Sequence, residues 1–162
     1  MLSVAAGSVI GGADTIIGKN HRQAIVSIVE RKSGFTLIRK VERKTALEVG
    51  EAMTDLLKPC QSKVHTVTSD NGREFARHEE IATALDADFY FAHPYSSWER
   101  GTNENTNGLI RQYFPNNRDF TTITDKEIST AMERLNNRPR KRLGYQTLHQ
   151  VLFKSSGVAL QT

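Results

Sequence analysis

Three carboxylates are the residues of this chain whose type and spacing could do chemistry together. Asp14 opens a predicted first strand, Asp70 follows a predicted fourth strand within the tetrapeptide SDNG, and Glu104 lies at the start of a predicted helix. Hard cations such as Mg²⁺ bind through oxygen ligands, so converging carboxylates and a substrate phosphate make a suitable site. Two such ions about 3.5–4 Å apart stabilise both the attacking and the leaving oxygen of an in-line displacement.

Each of these acids also has an ordinary structural explanation. The sequence Asp-Asn-Gly is favourable turn chemistry, in which the Asp carboxylate only satisfies backbone N–H groups. A Glu in the first turn of a helix is favoured by the helix dipole without any function. Asp14, beside two glycines, is also compatible with a loop. Spacing alone therefore leaves the metal site and these structural readings both open.

Length and composition exclude several classes of protein. The chain has 162 residues, enough for one domain with a real core, and its 25% of charged residues is ordinary for a globular protein. A single cysteine, Cys60, cannot form an internal disulfide, and no apolar run approaches the roughly 20 residues of a membrane helix. We expect one domain spanning residues 1–162, with a frayed lead-in or first strand over 1–12 and a flexible tail over 154–162.

The charge is unevenly distributed along the chain. The net charge is +4, yet residues 1–92 carry equal numbers of acids and bases, so the excess lies in residues 93–162. After Glu133 there are six Lys or Arg side chains and no carboxylate. Such a cationic end attracts a phosphate backbone, although a solvated tail would have the same composition.

The local patterns predict a mixed α/β domain in the order β-β-β-α-β-α-β-α-α. Three β-rich segments separated by polar turns predict an antiparallel meander, and two further strands follow. Capping boxes at Thr45 and Thr124 predict the starts of two helices. The remaining segments are a helix over 78–85, a helix from about 102 or 103 to 113, and a short helix over 147–153.

The segment around Glu104 carries a more specific signal. Residues 95–115 read YSSWERGTNENTNGLIRQYFP, which closely resembles the signature of the IS-thirty family of bacterial insertion-sequence transposases. Further matches occur in register at residues 14–19 (DTIIGK), 29–33 (VERKS), 69–72 (SDNG) and 136–145 (NNRPRKRLGY). The spacing of 33 residues between Asp70 and Glu104 is itself a mark of the wider group of Asp-Asp-Glu transposases and retroviral integrases. The resemblance covers about residues 13–153.

The resemblance implies a fold, a reaction and a set of residues. The implied fold is an RNase H-like mixed sheet of five strands flanked by helices. The implied reaction is metal-dependent hydrolysis of a phosphodiester at an element end, followed by transfer of the 3′-hydroxyl strand into target DNA. Asp14, Asp70 and Glu104 are the implied catalytic and metal-binding triad, with two Mg²⁺ ions for which Mn²⁺ substitutes.

The same resemblance implies partners and a location. We expect double-stranded DNA as substrate, a homo-oligomer with the dimer favoured, no membrane, and a bacterial cytoplasmic, nucleoid-associated protein. Tyr90 is expected to pack within the protein. Expected DNA contacts are Trp98, Arg100, Arg111, Arg138, Arg140, Lys141 and Arg142.

The chain also departs from the family pattern. Gly11-Gly12-Ala13 stands where the family usually has Trp-Glu shortly before the first Asp. We also expect this chain to lack the family's N-terminal helix-turn-helix region, which reads the transposon ends. These departures keep a second hypothesis open, a catalytically inactive remnant that binds DNA or dimerises with a full transposase. A third hypothesis is a nuclease of the same fold that cuts DNA but never joins strands.

Overall fold

A computed structural model describes residues 9–31, 33–92 and 101–137 of the chain. Five strands form one sheet in the order β3-β2-β1-β4-β5. The strands are β1 (Val9–Ile17), β2 (Ala24–Glu30), β3 (Thr36–Val41), β4 (Val64–Ser69) and β5 (Asp88–Phe91). The helices are α1 (Ala46–Leu57), α2 (His78–Leu85), α3 (Gly101–Tyr113) and α4 (Asp125–Asn136), with short 3-10 segments at Lys58–Lys63, Arg73–Phe75 and Phe120–Thr122.

The sheet has the predicted composition. β1 pairs with β2 and β2 with β3 in antiparallel fashion, which is the predicted meander. β4 lies parallel to β1 on its other side, and β5 extends the sheet parallel to β4. β1 is therefore the central strand, with neighbours on both sides. The predicted mixed sheet of five strands flanked by helices is confirmed.

Both predicted capping boxes mark true helix starts. At α4, the Thr124 hydroxyl accepts from the Glu127 N–H at 3.1 Å, and the Glu127 carboxylate accepts from the Thr124 N–H at 3.4 Å. At α1, the Thr45 hydroxyl accepts from the Glu48 N–H at 3.2 Å. The Glu48 carboxylate accepts instead from the N–H of Arg43, which lies just before Thr45.

Two apolar cores lie on opposite faces of the sheet. α1 and α2 cover one face, and α3 and α4 cover the other. β2 is buried along its whole length, as expected for a strand covered on both sides. The largest fully buried side chains are Phe75, Phe114, Phe120, Ile25, Ile38, Met53, Leu57, Ile81, Leu85, Ile110 and Leu135. The α3–α4 face matters here because it carries Glu104.

Two expectations need correction. Residues 9–12, expected as a lead-in or first strand, form the first part of β1, so Asp14 lies inside this strand rather than at its start. Gly11 and Gly12 are both buried in this strand, at positions where a Cβ would come close to neighbouring side chains. Tyr90, expected to be packed, is 55% exposed, because β5 is the edge strand.

The predicted helix over 147–153 and the predicted tail lie outside the described residues. Within the described ranges, no helix is long and apolar enough to cross a membrane.

Candidate active site

The Asp14 side chain on the central strand β1 is held in place by hydrogen bonds. Its side chain is partly buried, and both of its carboxylate oxygens accept hydrogen bonds. Oδ1 accepts from the Thr15 backbone N–H at 2.8 Å, and Oδ2 accepts from Nδ2 of Asn107 on α3 at 2.8 Å. Asn107 in turn accepts from the Ser27 hydroxyl of β2 at 3.4 Å through its Oδ1. The orientation of the Asp14 carboxylate is thus set from two strands and a helix.

Asp70 directly follows β4, as predicted, and its side chain is exposed. Its Oδ1 accepts from the Gly72 N–H at 2.9 Å, which is the turn interaction expected of an Asp-Asn-Gly sequence. The turn and a metal site are compatible, because one carboxylate bears two oxygens. The backbone bond fixes the turn and leaves the side chain at the surface.

The register of the sheet relates Asp14 to Asp70. β1 and β4 are parallel, and Gly12 is the partner of Thr68. Two residues further along each chain bring Asp14 and Asp70 to corresponding positions. Because side chains alternate between the faces of a strand with period two, the Asp14 side chain lies on the same face of β1 as Gly12. Asp70 is the first residue after β4, so the two acids lie on neighbouring segments at the same level of the sheet.

Glu104 lies in the first turn of α3, as predicted, and is exposed. The helix that carries it is bonded directly to β1 at three successive turns. Nδ2 of Asn103 donates to the Gly12 carbonyl at 2.8 Å, Asn107 binds Asp14, and NH2 of Arg111 donates to the Ile17 carbonyl at 2.9 Å. Residues four apart share one face of a helix, so this polar stripe fixes the position of α3 along β1.

The contact between Asn103 and Gly12 depends on the glycine. Asn103 is only 2% exposed, and a Cβ on Gly12 would overlap its side-chain amide. Gly12, part of the Gly-Gly pair that departs from the family pattern, is thus required by the close approach of the helix that carries Glu104, whereas a Cβ on Gly11 would meet Cγ2 of Ile28 at 3.1 Å. Sequence reasoning missed Asn103, Asn107 and Ser27. One signal for the helix residues was available in the sequence: Asn103 and Asn107 stand four residues apart and so share one face of the predicted helix. A buried helix face is usually apolar, so two asparagines on one face are unusual.

The three acids do not form a ready-made metal-binding cluster. Over residues 9–31, 33–92 and 101–137, no group of three or more His, Cys, Asp or Glu side chains lies together in a metal-binding arrangement. The fold aligns Asp14 with Asp70 and attaches the helix of Glu104 to the same strand, but it does not gather the three carboxylates at one point. The Asp14 carboxylate is held by Asn107 and Thr15 instead.

Arg111, predicted to contact DNA, makes its described contacts within the protein. Its guanidinium donates to the Ile17 carbonyl and lies 6.0 Å from the ring centroid of Phe120. Burial lowers the pKa of Arg111, and its NH1 is buried without a hydrogen-bond partner among the described residues. The side chain joins α3 to the end of β1, and its contact with DNA stays a prediction.

The other predicted DNA contacts cannot be placed. Trp98 and Arg100 lie in the segment 93–100, and Arg138, Arg140, Lys141 and Arg142 lie beyond residue 137, all outside the described residues. Their roles stay predictions.

Comparison with known proteins identifies the relatives of this chain. It is 54% identical over 134 residues to the transposase for insertion sequence element IS4351 of Bacteroides fragilis, covering 83% of this chain and 41% of that protein. It is 42% identical over 146 residues to transposase InsI for insertion sequence element IS30C of Escherichia coli (strain K12), covering 90% of this chain and 38% of that protein. No protein-family model matches the chain. The chain thus spans about two fifths of the length of these curated relatives.

Two solved structures share the fold. A chain of the simian T-cell lymphotropic virus intasome, in complex with PP2A regulatory subunit B56 gamma, superposes with a TM-score of 0.73 at 20% identity, covering 94% of this chain and 57% of that chain. The catalytic core domain of BIV integrase superposes with a TM-score of 0.70 at 23% identity, covering 93% of this chain and 97% of that domain. The fold is that of an integrase catalytic core, which confirms the predicted RNase H-like class. The predicted resemblance is confirmed as well, because over most of its length this chain is homologous to transposases of the IS-thirty family and of related insertion sequences.

Proposed function

We propose that this chain is the catalytic core of a DNA transposase, a polynucleotidyl transferase that acts through Asp14, Asp70 and Glu104. The observation that carries the proposal is the register between β1 and β4, with Gly12 opposite Thr68, combined with the attachment of α3 to β1. Identity of 54% to a transposase over most of the chain supports the same reaction class.

The proposed reaction has two steps on DNA. In the first, a water oxygen attacks a phosphodiester at an element end, and the P–O bond to the 3′ oxygen breaks to leave a free 3′-hydroxyl. In the second, that 3′-hydroxyl attacks a phosphodiester of the target DNA, forming a new P–O bond as the old one breaks. Neither step needs a covalent bond between DNA and the protein.

The donor chemistry fits a divalent cation. Asp14, Asp70 and Glu104 offer only carboxylate oxygens, which are the ligands that Mg²⁺ and Mn²⁺ prefer. We propose two Mg²⁺ ions, which when bound stabilise charge on the attacking and leaving oxygens of an in-line displacement. The protein's part is to hold the acids: Asn107 orients Asp14, and the turn at Gly72 orients Asp70.

The substrate side of the proposal rests on charge and position. We propose that double-stranded DNA contacts Trp98, Arg100, Arg111 and the basic run 138–142, which supplies most of the positive charge after Glu133. We further propose a homodimer that works in the bacterial cytoplasm at the nucleoid. The whole chain is a single catalytic domain in this proposal.

Substitution of the acids tests the metal assignment. We expect Asp70→Asn and Glu104→Gln each to abolish Mn²⁺-dependent nicking of an element-end duplex while DNA binding, measured by fluorescence anisotropy, is retained. Asp86→Asn is the matched control, because Asp86 is exposed and in a left-handed conformation that Asn tolerates. Nicking by Asp70→Asn and Glu104→Gln at the wild-type rate would refute the assignment.

One observation favours the second candidate, an inactive remnant that binds DNA or dimerises with a full transposase. Both oxygens of Asp14 are engaged, and the described residues contain no cluster of three potential ligands. Isothermal titration with Mn²⁺ separates the two candidates, since a remnant shows no heat of binding that depends on the carboxylates. A strand-transfer assay with a pre-cut oligonucleotide then separates a transposase core, which joins strands, from a nuclease that only cuts.

A further inference from the structure

A fourth carboxylate lies beside the proposed active site and has no part in the chemistry described above. Glu74 belongs to the 3-10 turn Arg73–Phe75 that follows the SDNG segment, and it is only 9% exposed. Its Oε1 accepts from the Thr15 hydroxyl at 3.1 Å and lies 3.6 Å from Nζ of Lys44. A buried carboxylate is unfavourable unless it is paired and hydrogen-bonded, and both partners meet that requirement.

The contacts of Glu74 reach both segments that carry these proposed metal ligands, strand β1 with Asp14 and the turn after β4 with Asp70. On the β1 side it binds Thr15, whose own N–H donates to Asp14. On the β4 side its carboxylate lies against Gly72, whose N–H donates to Asp70. A Cβ on Gly72 would lie 2.5 Å from Oε2 and 2.8 Å from Oε1 of Glu74, so only glycine leaves the carboxylate where it is.

We propose that Glu74 is a positioning residue that keeps the carboxylates of Asp14 and Asp70 in the relative placement needed for cation binding. The inference rests on the proposed function, because it concerns the same two acids. Glu74 touches the residue that holds each carboxylate, and it touches neither carboxylate through a hydrogen bond of its own. Its negative charge is offset by Lys44, so its contribution is geometric.

Two variants displace Glu74 in different ways. Glu74→Ala removes the carboxylate. Gly72→Ala keeps it but forces it to move, because the far end of a flexible side chain yields before the backbone does. The backbone of Gly72 has φ −73° and ψ 152°, which alanine adopts without strain, so this variant isolates the displacement of Glu74. Glu74→Gln retains an oxygen acceptor for Thr15 and is the conservative variant.

The measurement is Mn²⁺ affinity of the whole chain by isothermal titration, with metal-free thermal unfolding as a second readout. Partners one step removed from a metal typically contribute about 10–100-fold in affinity, and we expect about tenfold weaker binding for Glu74→Ala and Gly72→Ala. Glu74→Gln is expected to recover most of the loss. The matched controls are Glu79→Gln, an exposed acid on α2, and Gly50→Ala, where the nearest atom to a new Cβ is 3.6 Å away; both should bind Mn²⁺ as the wild type does.

A double-mutant cycle tests the route through Thr15. If Glu74 acts through the Thr15 hydroxyl, Thr15→Val weakens Mn²⁺ binding, and adding Glu74→Ala to it weakens binding little further. Fully additive losses would contradict that route.

The outcomes separate this inference from the proposed function. Absence of carboxylate-dependent Mn²⁺ binding by the wild type would overturn the proposed function, and this inference with it. Binding that is lost in Asp70→Asn but lies within twofold of wild type in Glu74→Ala and Gly72→Ala would overturn this inference alone. If Glu74→Ala does not fold, Gly72→Ala and Glu74→Gln decide the question.

Discussion

A single methyl group at Gly12 should displace helix α3, which carries Glu104, from strand β1, which carries Asp14. In Gly12→Ala the new Cβ overlaps the side-chain amide of Asn103, which is buried and bonded to the Gly12 carbonyl at 2.8 Å. Either α3 moves away from β1 or Asn103 leaves its carbonyl. Both results displace the first turn of α3, which contains Glu104.

The expected loss of stability follows from two contributions. Overpacking a well-packed site typically costs about 1–3 kcal/mol. Breaking the bond from Asn103 leaves a buried donor and a buried acceptor unpaired, at a cost of about 1–3 kcal/mol for an unsatisfied group. We therefore expect Gly12→Ala to lower the free energy of unfolding by about 3 kcal/mol, which for a domain of this size lowers Tm by roughly 6–12 °C.

The control is the same substitution elsewhere in the same unit. Gly108 lies in α3 with nothing within 4 Å of a new Cβ. In a helix interior, alanine is more favourable than glycine by about 0.5–1 kcal/mol, so Gly108→Ala should raise the free energy of unfolding. The two substitutions thus have opposite expected signs, which removes any general effect of replacing glycine by alanine.

Urea denaturation followed by circular dichroism measures both values. A second variant tests the cause: Asn103→Ala removes the amide that the methyl group strikes. The double variant Gly12→Ala/Asn103→Ala should lose clearly less than the sum of the two single losses. A stability of Gly12→Ala within 0.5 kcal/mol of wild type, or strict additivity with Asn103→Ala, would refute the reasoning.

Two further substitutions probe the polar contacts that position the helices. Asn107→Ala removes the donor to Oδ2 of Asp14, so we expect Mn²⁺-dependent nicking to fall by about 10–100-fold while the chain stays folded. Single-turnover kinetics measure the nicking rate, and a thermal melt checks the fold. An unchanged rate would contradict the role of Asn107. Asn136→Ala removes two buried hydrogen bonds to the backbone of Thr36, at 2.8 and 2.7 Å. We expect the free energy of unfolding, measured by urea titration, to fall by about 2–4 kcal/mol. A loss below 0.5 kcal/mol would show that these bonds do not hold the end of α4 to β3.

Much of the fold was predictable because its signals are local. α2 was predicted to the residue at both ends, and α4 follows from the capping box at Thr124. The meander follows from β-rich segments between polar turns. Asp70 and Glu104 were placed correctly on their elements, because the end of a strand and the first turn of a helix are marked by nearby residues.

The sequence leaves the first part of β1 open between a lead-in and a strand, and the reason is physical. Glycine has a low strand propensity, so Gly11 and Gly12 weaken every local indication of a strand. The contact that requires glycine at position 12 lies far away in sequence, because Asn103, 91 residues further on, occupies the space that a side chain at Gly12 would take. The local sequence therefore shows the low strand propensity of these glycines, but it does not show the distant contact for which glycine is needed at position 12.

The polar stripe of α3 also bears on the proposed chemistry, because it fixes the position of Glu104 relative to Asp14. Apolar packing is non-directional, so it constrains the position of a helix along a strand less sharply than hydrogen bonds do. Asn103 and Asn107 add directional bonds to Gly12 and Asp14, each about 2.8 Å long. Leaving either bond unmade inside the protein is expensive, so the register of helix and strand is discrete. If Asp14 and Glu104 must bind the same pair of cations, the distance between them has to be fixed within a fraction of an ångström, which takes hydrogen bonds as well as packing. Asn103 and Asn107 are therefore best explained by the demands of the site, and replacing either by alanine should reduce nicking even while the chain stays folded.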